Sequence, residues 1–292
     1  MAKIKLVTDS ACDIPRDKEA ALGIRILSFP ITVNGKGYME REDFQEEEFY
    51  DLLKNSEEIP TTAQITSFRF EEVFEEYYGE GYTDLIYVSI NSKGSSTFNN
   101  SQIARDAFYE KHPDAKGKFN IYLIDSRTYT AAYGYPVMEA AVKASKGASA
   151  KELVAYIEDW LSSAKVYFAP YTLRFVKKSG RVSAAAAFVG ELVGLRPLIT
   201  FEDGDSVVLE KVRGDNKIVP ALVNRAAKKM IPQTPYLILA AALPDRCAEL
   251  VKEAEKKFGY KPVGVFQIGA AIAINAGPEL VGIVVKEKRE EA

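Results

Sequence analysis

Ile4-Lys5-Leu6-Val7-Thr8-Asp9-Ser10-Ala11-Cys12-Asp13-Ile14-Pro15 opens the chain. Its apolar part, Ile4 to Thr8, has the length of a buried strand and ends in the polar Thr8-Asp9-Ser10. Pro15 then opens a helix that Gly23 closes, because proline's fixed φ suits a first turn and glycine tolerates a left-handed exit. The same unit recurs. Asp84 to Ile90 reads as a buried strand, followed by a Ser/Gly/Asn-rich loop from Asn91 to Ser96 and a helix to about Lys111. Phe119 to Ile124 is another strand, ending in Asp125-Ser126. Helices at about Thr130 to Ser145 and Ala150 to Ser163 follow. Alternating strands and helices predict a parallel sheet flanked by helices. Ligands of such sheets sit beyond the carboxyl ends of the strands, so Ser10, Ser92 and Ser126 should gather there.

Between these units, Ile24 to Val33 is a β-rich run broken at Pro30, with a turn at Asn34-Gly35. A helix from about Glu46 to Lys54 carries Phe49, Leu52 and Leu53 on one face. Ile59 to Gln64 reads as a loop, and Ser67 as the cap of a helix from Phe68 to Tyr78.

Beyond Lys165 the texture changes. Pro197 to Phe201 and Ser206 to Val212 flank Asp203-Gly204-Asp205, a hairpin signal. A helix from Asn216 to Met230, a strand from Tyr236 to Ala242 and a helix from Asp245 to Phe258 come next. Val263 to Ile268, Ala271 to Asn275 and Leu280 to Lys286 read as strands. The expected fold is therefore α/β with two domains. Residues 1–163 form a parallel-sheet α/β domain, and residues 164–292 an α/β domain with a mixed or antiparallel sheet. A length of 292 residues suits two domains of about 150.

Composition narrows the function. Apolar residues make up 47% and charged residues 27%, typical of a globular protein. A net charge of −3 excludes the basic footprint of a nucleic-acid binder. Cys12 and Cys247 have neither pairing nor metal spacing, Met1-Ala2 leads into the polar Lys-Ile-Lys-Leu-Val, and no run has the length of a membrane span. A cytoplasmic protein with two free thiols and no stable membrane anchor is expected. The chain has a single histidine, His112, before a proline at a helix end. A Ser-His-Asp or Cys-His centre thus has only a loop residue for its base, and a site of several zinc-ligating histidines is excluded.

The usual cofactor motifs are missing, among them G-x-G-x-x-G after the first strand, G-x-x-x-x-G-K-[ST] and G-x-S-x-G. What stands out is a set of loop hydroxyls: Thr61, Thr62, Ser92, Ser95, Ser96 and Thr97. Neutral donors suit a carboxylate or phosphate held without a strong ion pair; the same residues also serve turns and helix caps. Asp9 is expected to cap a turn and Asp13 the helix at Pro15, although the pair also reads as acids or metal ligands. Arg181, in the turn after Lys177-Lys178-Ser179-Gly180, is either an anion grip or a surface arginine. Ala184 to Val189, a small apolar run, opens a helix ending near Gly194.

Taken in order, these pieces resemble the DegV family. Val7-Thr8-Asp9-Ser10-Ala11-Cys12-Asp13-Ile14-Pro15 resembles its T-D-S-x-x-D-[IL]-P start. Pro60-Thr61-Thr62-Ala63-Gln64 resembles its P-T-T-S-Q loop, and Asn91 to Phe98 its S-S-x-L-S-G-T-Y element. Asp125-Ser126, Leu173 to Ser183, Leu195 to Ile199 and Gly277-Pro278 match later motifs in register. The resemblance implies a non-enzymatic protein without a cofactor that buries one long-chain fatty acid and presents its carboxyl group to a separate ATP-dependent fatty acid kinase subunit. It implies that Thr62 and Ser95 bind the carboxylate, with Thr61 and Ser96 as neighbours. Arg181, Asn275 and Gly277 fall in the head-group or partner-contact region. The chain departs from the pattern where Asn275 replaces a histidine, Gly94 a leucine, Ser96 a glycine, Ala63 a serine and Ser179 a glycine. Two other readings stay open. One is a phosphotransferase or hydrolase of a small polar substrate using Asp9, Asp13 or Lys177. The other is a lipid-dependent regulatory protein uncoupled from any kinase.

Overall fold

The computed structural model describes residues 2–183 and 194–288. The Ala184 to Val189 run therefore lies outside the described residues. Strands β1 (Ile4–Asp9), β2 (Arg25–Leu27), β6 (Asp84–Ser89) and β7 (Asn120–Asp125) form a sheet in the order β2-β1-β6-β7, parallel throughout. Helices α1 (Arg16–Leu22), α3 (Ser67–Gly79), α4 (Thr97–Lys111), α5 (Ala131–Ser145) and α6 (Ala150–Ser163) belong to this half. Burial of every residue of β6 explains the unbroken apolar run from Leu85 to Val88 at its centre, since a parallel strand is covered on both faces.

A second sheet has the order β10-β9-β8-β13-β11-β12. Its strands are β8 (Ala164–Pro170), β9 (Leu195–Glu202), β10 (Asp205–Arg213), β11 (Leu237–Ala240), β12 (Val265–Gln267) and β13 (Leu280–Lys286). All pairs are antiparallel except β11–β12, so the sheet is mixed. The β9–β10 hairpin turns at Asp203-Gly204 with φ of 47° and 83°, left-handed values at both central positions as a tight hairpin requires.

Strand alternation divides the second sheet's two faces. Tyr167, Ala169, Ile238 and Ile283 pack into a core with Leu222 and Leu250, from α8 (Ile218–Lys229) and α9 (Pro244–Phe258). Val166, Phe168, Leu239 and Leu280 point the other way, into the core that also contains the parallel sheet. Trp160 Nε1 donates to the Ala132 carbonyl at 2.9 Å, joining α6 to α5 within that shared core.

Several local expectations change. Ala271 to Asn275 is not a strand but part of helix α10 (Ala270–Ala276). Its Ala/Ile alternation carries no apolar–polar signal, because nearly every residue is buried. Gly277, at φ 94°, ends the helix by donating its N–H to Ala273 O. Thr66, not Ser67, caps α3, accepting from Arg69 N at 3.3 Å. The 59–64 segment contains a two-residue strand, β5 (Thr61–Thr62). It completes a small antiparallel sheet, β4-β3-β5, with β3 (Pro30–Val33) and β4 (Lys36–Met39). Helix α2 (Glu46–Asn55) follows β4 in the chain, and the short helix α7 (Val176–Ser179) follows β8.

Asp13 does not cap the helix at Pro15. It takes a left-handed conformation with φ 53°, and its Oδ1 accepts from Gly269 N at 2.8 Å. Asp9 makes no cap either. Its carboxylate accepts from Tyr133 Oη at 2.5 Å, Ile90 N at 2.8 Å and Tyr87 Oη at 3.1 Å. Both carboxyls are buried members of the core rather than turn ornaments.

Candidate functional site

A cavity of about 420 Å³ opens between the inner face of the mixed sheet and the loops at the edge of the parallel one. Val166, Phe168, Phe201, Leu239 and Leu280 line it from the mixed sheet, and Phe29 and Ile90 from the first half. Ile268, Ala271, Ile272, Asn275 and Ala276 add the face of α10 and the loop before it. The polar part of the lining comes from Thr62, Gln64, the 92–96 loop, Tyr129 and Arg181. The size falls in the range of small-molecule sites, which combine an apolar body with a few placed polar groups.

Of the residues singled out by sequence, Thr62, Ser95, Ser96, Arg181 and Asn275 line this one cavity. Thr61 is exposed and is not among the lining residues; its neighbour Thr62 pairs with Ile31, so β5 turns the two threonines to opposite sides. Gly277 ends α10 beside Phe175 and does not line the cavity. The three strand-end serines do not gather. Ser10 is buried, donating to Glu40 Oε2 at 2.5 Å and accepting from Phe29 N at 2.9 Å. Ser126 is buried and bonds locally to Thr128. Only Ser92 lines the cavity, and its hydroxyl donates to Asp125 Oδ2 at 2.5 Å.

The Ser95 hydroxyl is embedded in a short relay. Thr97 Oγ1 accepts from Ile65 N at 3.2 Å and lies 2.9 Å from Ser95 Oγ, which also accepts from Thr97 N at 3.3 Å. When Thr97 donates along this relay, both lone pairs of Ser95 are occupied and its own proton is left for a ligand. Arg181, exposed at the mouth, donates from Nε to Gly94 O at 3.2 Å and from one terminal nitrogen to Ser179 O at 2.8 Å. Asn275 turns its amide nitrogen back onto Ala271 O at 2.8 Å.

Among the described residues lining the cavity, the only formal charges are Lys93 and Arg181; no carboxylate faces it. Lys93 pairs with Asp205 at 2.6 Å. His112 is elsewhere, against Glu75 at 2.8 Å. Such a lining favours an anionic head group and offers no carboxylate or imidazole as a general base.

Sequence reading missed what holds α10 against the cavity. Glu40 Oε1 accepts from Ala271 N at 2.9 Å, Asp13 from Gly269 N, and Tyr50 Oη donates to Ile268 O at 2.6 Å. Two buried carboxyl groups from the first half thus satisfy N–H groups at the start of the helix. Burial raises the Asp13 carboxyl well above its ordinary range, raises that of Glu40, and brings Asp9 to about 6. No local signal betrays these partners, which lie more than 200 residues apart in sequence.

Fold and cavity together define a class: an α/β protein with a ligand-sized chamber between a parallel sheet and the inner face of a mixed sheet. The model of a family described as "Uncharacterised protein, DegV family" matches residues 3–288. A DegV domain-containing protein of Clostridium perfringens is 32% identical over 284 residues, covering 96% of this chain and 97% of the relative. A structure of a DegV family protein from Thermus thermophilus, reported for its fatty acid binding, is 27% identical. It covers 98% of this chain and 100% of that one at a TM-score of 0.83. The fatty acid kinase B3 protein of Streptococcus pneumoniae, loaded with linoleic acid, shares the fold at 19% identity and a TM-score of 0.83, over 99% of this chain and 100% of its own. The chain belongs to the DegV family. Among the described residues no helix is long and apolar enough to cross a membrane.

Proposed function

We propose that the cavity buries the hydrocarbon tail of one long-chain fatty acid and holds its carboxylate at the hydroxyl-rich mouth, through Ser95 and Thr62 with Ser96 beside them. The observation that carries this reading is the lining itself: apolar side chains from the mixed sheet and α10, hydroxyls at one end, and no carboxylate among the described lining residues. Burying each CH₂ contributes about 0.8 kcal/mol, so a chain of roughly sixteen carbons gains on the order of 12 kcal/mol. Tight binding then needs only orientation from the head group. The fatty acid binding reported for the Thermus thermophilus relative supports the same ligand class here.

In this reading the protein is a carrier with no catalysis of its own. Asp9 and Asp13, two of the three residues named above for an enzyme, are buried on other partners and absent from the lining. The carboxyl group is presented to a partner kinase at the mouth, where Arg181 is exposed, with the domain boundary between Ser163 and Ala164. Asn275, where the family pattern has histidine, cannot exchange a proton near neutral pH; Asn275→His should therefore raise kinase-coupled acyl phosphate formation while changing fatty-acid affinity little. Calorimetric titration with a long-chain acid tests the binding. Saturation at one acid per chain with no ATP turnover by the protein alone supports the carrier; turnover without a partner overturns it.

A further inference from the structure

Tyr129 lines the cavity on the loop after β7, buried, with its ring 4.5 Å from that of Phe201, which stacks on Phe168 at 5.6 Å. Its hydroxyl reaches the mouth loop, where Asn91 Nδ2 lies 2.8 Å from Tyr129 Oη. The direction of that bond is fixed by the other partners of Asn91. Asn91 Nδ2 also donates to the Gly204 carbonyl at 2.7 Å, a group that only accepts. Asn91 Oδ1 accepts from Lys93 N at 3.2 Å, a group that only donates. The amide is therefore locked in one orientation, both its protons are used, and Tyr129 Oη is the acceptor. The phenolic proton has no acceptor among the described residues, whereas a buried tyrosine hydroxyl ordinarily finds one.

Gly94 makes the room. A Cβ at that position would collide with Tyr129 Oη and lie 3.2 Å from two of its ring carbons. Because Gly94 adjoins Ser95, the same absence of a side chain brings the phenol to the loop that bears the serine donor.

We infer that Tyr129 donates its phenolic O–H to the carboxylate of the bound fatty acid, as a further head-group residue beside Ser95, and that Gly94 is what admits it. The inference rests on the fatty-acid reading above. Burial pushes the pKa of the phenol above its ordinary value, which keeps the proton in place at neutral pH.

The test is equilibrium binding of a long-chain fatty acid, and of the primary alcohol of equal length, to four proteins: wild type, Tyr129→Phe, Gly94→Ala and the double variant. Melting curves check that each is folded. Phenylalanine keeps the ring beside Phe201 and removes only the oxygen. Tyr129→Phe is expected to weaken the acid about ten- to hundredfold, the effect of losing a hydrogen bond to a charged group, and the uncharged alcohol several-fold less. Gly94→Ala should weaken the acid in the wild type and add little in the Tyr129→Phe background. Unchanged acid affinity in Tyr129→Phe overturns the inference, as does an equal loss for acid and alcohol, which would mark a packing role. A wild type that binds neither ligand overturns the fatty-acid reading and the inference together.

Discussion

Removing the Ser95 hydroxyl is the sharpest perturbation of the mouth. In the relay from Ile65 N through Thr97 Oγ1 to Ser95 Oγ, the serine accepts twice and has one proton to give when the Thr97 hydroxyl donates. Ser95→Ala deletes that donor. A hydrogen bond to a charged partner contributes about 1.5–3 kcal/mol, so affinity for a long-chain fatty acid should fall by roughly ten- to hundredfold. The fold should suffer less. Thr97 is buried and loses one partner for its N–H and one for its hydroxyl, although Ser95 itself is only half-buried; the cost of about 1–2 kcal/mol lowers the melting temperature by about 2–4 °C per kcal/mol. Thr97→Val is the companion variant. It keeps shape but removes the group that orients Ser95, and should weaken binding by a smaller factor than Ser95→Ala. Calorimetry or displacement of a fluorescent fatty acid reads both. Unchanged affinity in Ser95→Ala, with melting near wild type, would refute the assignment of this loop to the head group.

Other expectations follow from the buried supports and the apolar wall. Glu40→Ala strands the Ser10 hydroxyl and the Ala271 N–H in the interior; at about 1–3 kcal/mol each, chemical denaturation should show a loss of about 2–6 kcal/mol. The raised carboxyls give a pH dependence opposite to that of salt-bridged acids. Asp9 holds its proton to about 6 when folded against 3.8 when unfolded, and Asp13 and Glu40 shift the same way. Their stabilisation is complete below the unfolded values and is lost as pH rises through the folded ones. The melting temperature should therefore fall as pH is raised from about 5 to about 8, and a rise over that interval would contradict the buried network. Ala276→Phe places a ring in the cavity; affinity across a series of saturated acids of increasing length should drop most for the longest, and a uniform or absent loss would show that Ala276 is away from the tail.

Much of the fold was legible because its signals are local. β6 has an unbroken apolar centre from Leu85 to Val88, Asp203-Gly204 demands a left-handed hairpin turn, and Pro15 and Gly23 bracket α1. α10 is not legible, because alternating Ala and Ile looks like a strand when polarity does not mark a face; Glu40 and Asp13 fix that helix from the far end of the chain. The mouth was partly legible. Hydroxyls in the Thr61-Thr62 and 92–96 loops drew notice by their density, yet only the backbone of β5 separates Thr62 from Thr61. Ser10 and Ser126 resembled site residues in sequence, but the core uses their hydroxyls. Tyr129 carried no signal, since its role depends on Asn91, Gly94 and Gly204, which meet it only in three dimensions.

The most direct measurement is the lipid content of protein purified without detergent, denatured and extracted, with acyl chains identified and counted by mass spectrometry. The account predicts a long-chain fatty acid approaching one per chain, and its loss in a variant whose cavity is filled. Protein that emerges free of acyl chains, and takes none up when they are supplied, would contradict it.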